Sequence, residues 1–465
     1  MNFCITTAEA IEILSARPLT QSDTRSLKPA TGITTDTRSL KPGDLFVALV
    51  GENFDGHEFV EEAIAKGAVA AIVSKQRPLD PGHPEVPLLL VEDTLKAYQA
   101  IARWWRDRFS IPIIAVTGSV GKTTTKELIA AVLATQGPVL KTEANYNNEI
   151  GVPKTLLQLS GEHQYAVVEM AMRGPGEIAL LTQIARPTVG VITNVGTAHI
   201  GRLGSEEAIA KAKCELLAEM PESSIAILNG DNRRLIETAA GVRSGETLTY
   251  GLESGQFRGE LIDAGTIKVE SVELPLPLPG RHNAINYLAA LAVFKVIAGK
   301  SVPLNSLWEP VKKSLSVKLP EGRARRYELA KDITILDETY NAGLESTVAA
   351  LQLLAETPGK RHIAVLGTMK ELGEKSLEFH ERVGIVARDL KLDALFILAD
   401  VEEAKAMAKG ADGFPVLEIE NIEEKDCRQK LARRLKEFVE PGDRLLFKAS
   451  HSVQLNRVLE MFRVS

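Results

Sequence analysis

The chain reads as an α/β protein of three domains, and three observations say so. Its 465 residues exceed what one ordinary core organises, and the length corresponds to about three domains. Residues 113–125 run from an apolar stretch through a turn with two glycines into a helix start. Short apolar strands then alternate with helical segments, once after residue 111 and again after residue 322. The expected domains are 1–110, 111–317 and 318–465.

In the first domain, residues 8–16 have helical spacing, 45–50 read as a strand, 58–66 as a helix and 68–73 as a strand. A helix over 94–109 closes the unit, and Ser110-Ile-Pro112 forms the hinge. The segment Asp23-Thr-Arg-Ser-Leu-Lys-Pro29 recurs as Asp36-Thr-Arg-Ser-Leu-Lys-Pro42, a local duplication too short for a repeat architecture.

The second domain opens with strand 113–116 and the helix after Lys122. Strands at 165–169, 188–193 and 224–228 follow, nearly all apolar, as expected of a parallel sheet covered on both faces. Residues 266–274 alternate polar and apolar and predict an antiparallel addition. A proline-rich run, 274–280, leads into a helix over 282–297.

The third domain repeats the alternation, with strands at 333–336, 363–366, 394–398 and 444–447 and helices at 346–355, 377–390, 401–409 and 423–439. The pattern is that of a Rossmann-like doubly wound sheet without Gly-x-Gly-x-x-Gly after its first strand, so a dinucleotide is not expected there. Ligands belong outside the carboxyl ends of the strands, at 337–343 and 367–373.

Composition narrows the function. A net charge of -6 gives no basic surface to hold nucleic acid. Cys4, Cys214 and Cys427 are far apart, with neither disulfide nor zinc spacing, and read as reduced thiols of a cytoplasmic protein. No export signal and no membrane-length apolar run is evident.

The chemistry centres on Gly118-Ser119-Val120-Gly121-Lys122-Thr123-Thr124. The glycines let backbone N–H groups turn toward an anion, and the following helix adds the positive end of its dipole. Lys122 would reach the β- and γ-phosphates of a nucleotide, and the Thr123 hydroxyl would bind Mg²⁺. Val116 stands where the longer loop pattern has its first glycine, so this is a shortened version. Glu169, at the end of strand 165–169, stands where a metal ligand or a solvated carboxylate would. His199 follows a buried strand at the same sheet edge, as a ligand or as a packed imidazole.

The ordered set of this loop, Asn145-Tyr-Asn147-Asn148-Glu-Ile-Gly-Val-Pro153, Glu169, Thr193-Asn-Val-Gly-Thr-Ala-His199, Pro279-Gly-Arg-His-Asn283, Gly322-Arg323 and Asp337-Glu-Thr-Tyr340-Asn341 resembles the Mur ligases over nearly the whole chain. Asp36-Thr37-Arg38, Asp55-Gly-His57-Glu-Phe59 and Leu366-Gly-Thr-Met-Lys-Glu-Leu-Gly373 resemble most the type that adds D-alanyl-D-alanine to UDP-N-acetylmuramoyl-tripeptide. The Asp-Asn-Pro-Arg run of the diamino-acid-adding type is absent.

The resemblance implies an ATP-dependent amide ligase of cytoplasmic peptidoglycan synthesis, working as a monomer without nucleic acid or membrane insertion. Its first domain would hold the UDP end of the nucleotide sugar, its second ATP and its third the dipeptide. By carry-over, Thr123 and Glu169 bind one Mg²⁺ and His199 and Lys213 a second; Asn283 meets adenine, Arg323 the phosphates, and Asp337 and Tyr340 the nucleoside. Lys122, His199 and Lys213 are the expected catalytic set. Thr37, Arg38, Asp55, His57, Asn145, Asn147, Asn148 and Asn341 are the expected substrate contacts.

The chain departs from the family pattern at Asn341-Ala-Gly-Leu344, at Thr368 in place of an aspartate, and at Lys448-Ala-Ser-His451. Lys213 lies on the apolar face of its helix, four residues after Ile209 and three before Leu216, whereas Lys211 points away. An ammonium on that face, near a metal, is costly to desolvate. The family's remedy is carbamoylation of the lysine by CO₂ into an anionic ligand. A folylpolyglutamate-synthetase-like ligase, another Mur-type ligase and a non-catalytic nucleotide binder are the competing readings. The first would start close to its phosphate loop, and a guanine-reading Asn-Lys-x-Asp for a switch protein is missing.

Overall fold

The computed structural model describes residues 1–18, 28–77, 86–299 and 304–463. Three separate sheets organise them. The first is five-stranded, in the order Arg17–Pro18, Leu88–Val91, Ala70–Ser74, Asp44–Val47, Gly32–Thr34. Only the two-residue edge strand is antiparallel. Helix Thr94–Arg106 packs beside it, opened by Asp93, whose carboxylate accepts the N–H groups of Leu95 and Lys96. The same helix fastens this domain to the next. Trp105 donates to the Leu159 carbonyl at 3.0 Å, and Arg106 donates to the carbonyls of Ala185 (2.6 Å) and Arg186 (2.8 Å). The first copy of the duplicated segment lies largely outside the described residues; in the second, the Asp36 carboxylate accepts the Arg38 N–H and guanidinium.

The second sheet has nine strands. Ile113–Thr117 runs between Tyr165–Glu169 and Val189–Ile192 in parallel, fully buried by helices on both faces. A parallel strand is covered on both faces, which is why these segments are continuously apolar. The antiparallel addition is a hairpin, Thr266–Val269 with Val272–Pro275, rather than the single strand expected. Glu270 and Ser271 both take positive φ, 49° and 70°, the two-residue turn whose twist matches a hairpin.

The third sheet has six strands, in the order Arg325–Leu329, Ile333–Glu338, Arg444–Lys448, His362–Gly367, Ala394–Ala399, Leu417–Asn421, parallel except for the first. The four strands read from sequence are its interior. The last long helix begins at Cys427, four residues later than the 423 expected, with Asp426 in a left-handed turn before it. Cys4, Cys214 and Cys427 are free thiols.

Candidate active site

The phosphate loop is built as its spacing dictates. Strand Ile113–Thr117 ends at Gly118, whose φ of 147° and contact with Thr193 leave no room for a side chain. Gly121, at φ 81°, is the uncapped start of helix Lys122–Leu133. The helix therefore presents unsatisfied N–H groups and its positive end to the loop. The neighbouring loop holds this turn rigid. Val120 N–H donates to Asn194 Oδ1 (3.0 Å), Thr193 Oγ1 and Asn194 Nδ2 donate to the Val120 carbonyl (2.7 and 3.1 Å), and Gly196 N–H donates to Ser119 Oγ (2.9 Å). Asn286 supports the loop from below: its Oδ1 accepts the Thr125 hydroxyl at 3.2 Å and lies against Gly121. Asn194 and Asn286 brace the phosphate loop and its helix, and sequence reading missed both. Asn194 sat unremarked inside a motif already singled out, and nothing local distinguishes Asn286.

Lys122 folds onto its own loop, donating to the carbonyls of Gly118 (2.9 Å) and Ser119 (3.3 Å). Burial lowers its pKa; the Glu169 carboxylate opposes that shift and Arg323 adds to it. Thr123 and Thr124 are buried in the helix's first turn.

Glu169 ends the adjacent strand and is 2 % exposed. Asn147 Nδ2 donates to its Oε1 at 2.8 Å, and its N–H donates to Thr142 Oγ1. Glu169 Oε2 is buried without a hydrogen-bond partner. Beneath it, fully buried Lys126 donates to the Thr142 carbonyl at 2.7 Å and pairs with Glu127 at 2.9 Å. Lys213 projects from helix Glu206–Glu219 with 0 % exposure, and its Nζ has no partner; Lys211 on the same helix is exposed. Burial drives the Lys213 pKa well below the ordinary lysine value, the charge of Lys122 pushes the same way, and Glu215 opposes. His199 holds a left-handed backbone, φ 68°, and its Nδ1 lies 2.6 Å from Glu371 Oε2 without hydrogen-bond geometry. Burial first, then the charges of Lys122 and Lys213, lower the imidazole pKa, with Glu371 opposing.

An unmet buried polar atom costs about 1–3 kcal/mol, so each needs a reason. Seven such atoms stand among the described residues, and three belong to this site: Glu169 Oε2 has only Lys126 Nζ at 3.9 Å, His199 Nδ1 faces the Glu371 carboxylate, and Lys213 Nζ has no partner. Those are three of the four expected metal ligands; the fourth is the Thr123 hydroxyl. The Thr123 hydroxyl and the Glu169 carboxylate are oxygen donors of the kind Mg²⁺ takes. No group of three or more His, Cys, Asp or Glu able to hold a metal occurs among the described residues.

The third domain brings its expected residues to the same side. Arg323 lies over the Tyr340 ring at 3.9 Å. Buried Asp337 accepts the Thr339 N–H and hydroxyl (3.1 and 2.7 Å), and burial raises its pKa against those bonds. The Asn341 carbonyl accepts Lys448 Nζ at 3.0 Å. Thr368 is tied to a carboxylate one strand over: its hydroxyl donates to Asp400 Oδ2 at 2.6 Å, and Lys370 meets the same oxygen at 2.7 Å. Asn283 Nδ2 donates to the Pro279 carbonyl at 2.7 Å.

The expected substrate contacts fall into two groups. The Lys154 charge acts on Asp36, and Lys154 lies over Tyr146, so the Thr37 and Arg38 segment faces the stretch carrying Asn145, Asn147 and Asn148. Asn148 caps Gly151, its Oδ1 accepting that N–H at 2.9 Å. Asp55 and His57 make their bonds inside the first domain. His57 Nδ1 is 2.7 Å from Asp55 Oδ1, its Nε2 accepts the Ser74 N–H at 2.9 Å, and Arg77 pairs with Asp55. Both ring nitrogens of His57 are thus spent on its own domain. Two surface clefts of about 610 and 530 Å³ flank the hairpin near Lys268 and the far end of the phosphate-loop helix, and neither is lined by the expected site residues.

Comparison with known proteins agrees with this geometry. The chain matches the Mur ligase family catalytic domain over residues 29–105, the Mur ligase middle domain over 116–294 and the Mur ligase glutamate ligase domain over 322–451. It is 57% identical over 427 residues to the UDP-N-acetylmuramoyl-tripeptide–D-alanyl-D-alanine ligase of Synechocystis sp., covering 92% of this chain and 90% of that one. Identity to the ligase of the same name from Escherichia coli is 39%, over 81% and 83% of the two chains. Among solved structures, MurF from Acinetobacter baumannii superposes with a TM-score of 0.87 at 29% identity over 100% of both chains. MurF ligase from Thermotoga maritima in complex with ADP gives 0.80 at 33%, over 93% of this chain and 97% of that one. On this likeness along nearly its whole length, the chain belongs to the Mur ligase family.

Proposed function

We propose that this chain is an ATP-dependent ligase that joins D-alanyl-D-alanine to UDP-N-acetylmuramoyl-tripeptide, forming an amide bond through an acyl phosphate. The observation that carries the reading is the convergence of Glu169, His199 and Lys213 on the phosphate-loop lysine Lys122, close enough for their charges to act on one another, with Lys213 Nζ left without a partner. The 57% identity to the Synechocystis ligase supports the substrate pair.

The residues divide the work as follows. Loop N–H groups from Gly118 to Thr124 and the helix start cradle the phosphates of ATP, and Lys122 swings from its own carbonyls to the β/γ-phosphates, where it stabilises charge on the transferring phosphoryl group. Arg323 adds a second cation from the third domain, Asp337 and Tyr340 hold the nucleoside, and Asn283 meets adenine. Thr123 with Glu169, and His199 with Lys213, would hold two Mg²⁺ ions, which would supply charge neutralisation to the phosphates. Lys213, whose pKa burial drives well below the ordinary lysine value, would react through its amine with CO₂: an N–C bond forms as a C–O π bond opens, the amine loses a proton to solvent, and the side chain ends in a carbamate anion.

The tripeptide's terminal carboxylate oxygen then attacks the γ-phosphorus of ATP, and ADP departs. The dipeptide amine attacks the resulting acyl carbon, and phosphate leaves with the carboxylate oxygen that attacked. Thr37, Arg38, Asn145, Asn147 and Asn148 position the nucleotide sugar peptide at the boundary of the first two domains, with Asp55 and His57 shaping the first-domain end of that surface. Asn341, with Lys448 behind it, faces the incoming dipeptide from the third.

All these residues come from one chain, so a monomer suffices. The substrates are soluble, in keeping with a cytoplasmic enzyme, and no helix among the described residues is long and apolar enough to cross a membrane. The test is phosphate release with ATP and Mg²⁺. Release that needs both the nucleotide tripeptide and D-alanyl-D-alanine supports the reading; release dependent on a folate or on neither substrate contradicts it.

A further inference from the structure

The loop Met369–Gly373 of the third domain is clasped to the short helix Ile200–Leu203 of the second by a set of contacts that converge on His199. Glu371 supplies most of them. Its carbonyl accepts the Gly201 N–H at 3.2 Å, one carboxylate oxygen meets Arg202 at 3.3 Å, and the other stands 2.6 Å from His199 Nδ1. Gly201 and Gly373 touch so closely that a Cβ on either would lie within 2.7 Å of the other's backbone. Glu371 and His199, the two facing residues, both hold left-handed backbones, at φ 65° and 68°. That conformation disfavours ordinary side chains, so two of them opposed across a domain boundary mark a constrained contact.

A histidine that binds metal through one ring nitrogen almost always gives its other N–H to a carboxylate, which fixes both tautomer and ring orientation. Here that carboxylate is on a different domain from the imidazole. We infer that Glu371 is a positioning residue: it engages His199 Nδ1–H, turns Nε2 toward the metal shared with Lys213, and so completes the second metal position only when the third domain is docked. The inference rests on the reading of His199 as a metal ligand. It has a consequence for order of events, since the first position, at Thr123 and Glu169, lies wholly within the central domain and forms without docking.

Removing Glu371 acts in one direction. Loss of the orienting contact and loss of a nearby negative charge both weaken cation binding at His199. Arg202 provides the control, because its guanidinium takes part in the same clasp through Glu371 while only its backbone N–H, which a substitution keeps, bonds the His199 carbonyl.

The test is a Mn²⁺ titration of the full chain, followed by electron paramagnetic resonance, with a non-hydrolysable ATP analogue present. Wild type binds two Mn²⁺ ions. Glu371→Gln keeps the first at wild-type affinity and weakens the second at least tenfold, and Arg202→Ala retains both. In the ligation assay, Glu371→Gln raises the Mg²⁺ concentration for half-maximal rate at least tenfold with little change in KM for the nucleotide tripeptide. A second ion bound normally by Glu371→Gln overturns the inference, as does an equal loss in Arg202→Ala, which would make Glu371 a docking residue only. Wild type binding one Mn²⁺ ion overturns the two-metal reading itself, and the inference with it.

Discussion

Glu345 of the third domain accepts both the N–H and the hydroxyl of Thr197 in the second, at 2.6 and 3.1 Å. Thr197 follows Gly196, whose N–H donates to Ser119 Oγ, so this carboxylate is two residues of hydrogen-bonded backbone away from the phosphate loop. The third domain thus grips the loop that braces the nucleotide cradle.

If that grip forms on domain closure, Glu345→Ala should act on turnover. Hydrogen bonds to a charged group contribute about 1.5–3 kcal/mol, which corresponds to a kcat lower by roughly ten- to hundredfold. Tm and KM for ATP should change little. Steady-state kinetics beside a melting curve separate this from unfolding, and an unchanged kcat would refute it.

Lys122→Ala should leave binding of the UDP-peptide intact, because that ligand is assigned to the boundary with the first domain, while turnover falls by roughly 10²–10³-fold or more. Calorimetric binding together with single-turnover kinetics checks both halves. Near-normal turnover would remove Lys122 from the phosphate-loop role.

For Lys213 the expected pattern has three parts. Lys213→Ala loses nearly all activity, exposed Lys211→Ala loses none, and formate or acetate partly restores the Lys213 variant by supplying the missing carboxylate. A carbamate on Lys213 would also appear as one ¹³C signal on equilibration with ¹³CO₂. Full activity of Lys213→Ala ends the proposal.

Much of this was legible because it is local. The phosphate loop, the strand ending at Glu169 and the alternation of the third domain each occupy one contiguous stretch whose period or glycine placement has a single physical reading. The opposite faces of Lys211 and Lys213 followed from helical geometry alone. Glu345 and Glu371 were not legible. Glu345 looks like any acid in a helix's first turn, and its partner is 148 residues away; Glu371 sat in a quoted motif, but its partner His199 lies across a domain boundary. The hairpin reversal at Glu270 and Ser271 was missed because neither residue advertises positive φ.

Three histidines, buried His57 and His380 and half-buried His282, predict a pH dependence of stability. Burial holds His57, His282 and His380 below the ordinary value of 6.5, His282 down to about 4. His57 Nε2 and His380 Nε2 each accept a backbone N–H, from Ser74 and Met369, and lose that bond on protonation. The unfolded chain takes up these protons near pH 6.5 and the folded chain only at lower pH, so stability is fully present above about 6.5 and drains as pH falls toward about 4. Tm should fall across that window, and less steeply in His57→Gln/His380→Gln. An identical slope in the double variant would assign the effect to other groups.

The central claim is that the tripeptide carboxylate is activated as an acyl phosphate before the amide bond forms. Oxygen transfer reads this directly. With ¹⁸O in the terminal carboxylate of the UDP-N-acetylmuramoyl-tripeptide, ATP, Mg²⁺ and D-alanyl-D-alanine, each amide formed should place one ¹⁸O in the inorganic phosphate, seen by mass spectrometry. Phosphate free of ¹⁸O alongside labelled amide product would contradict it.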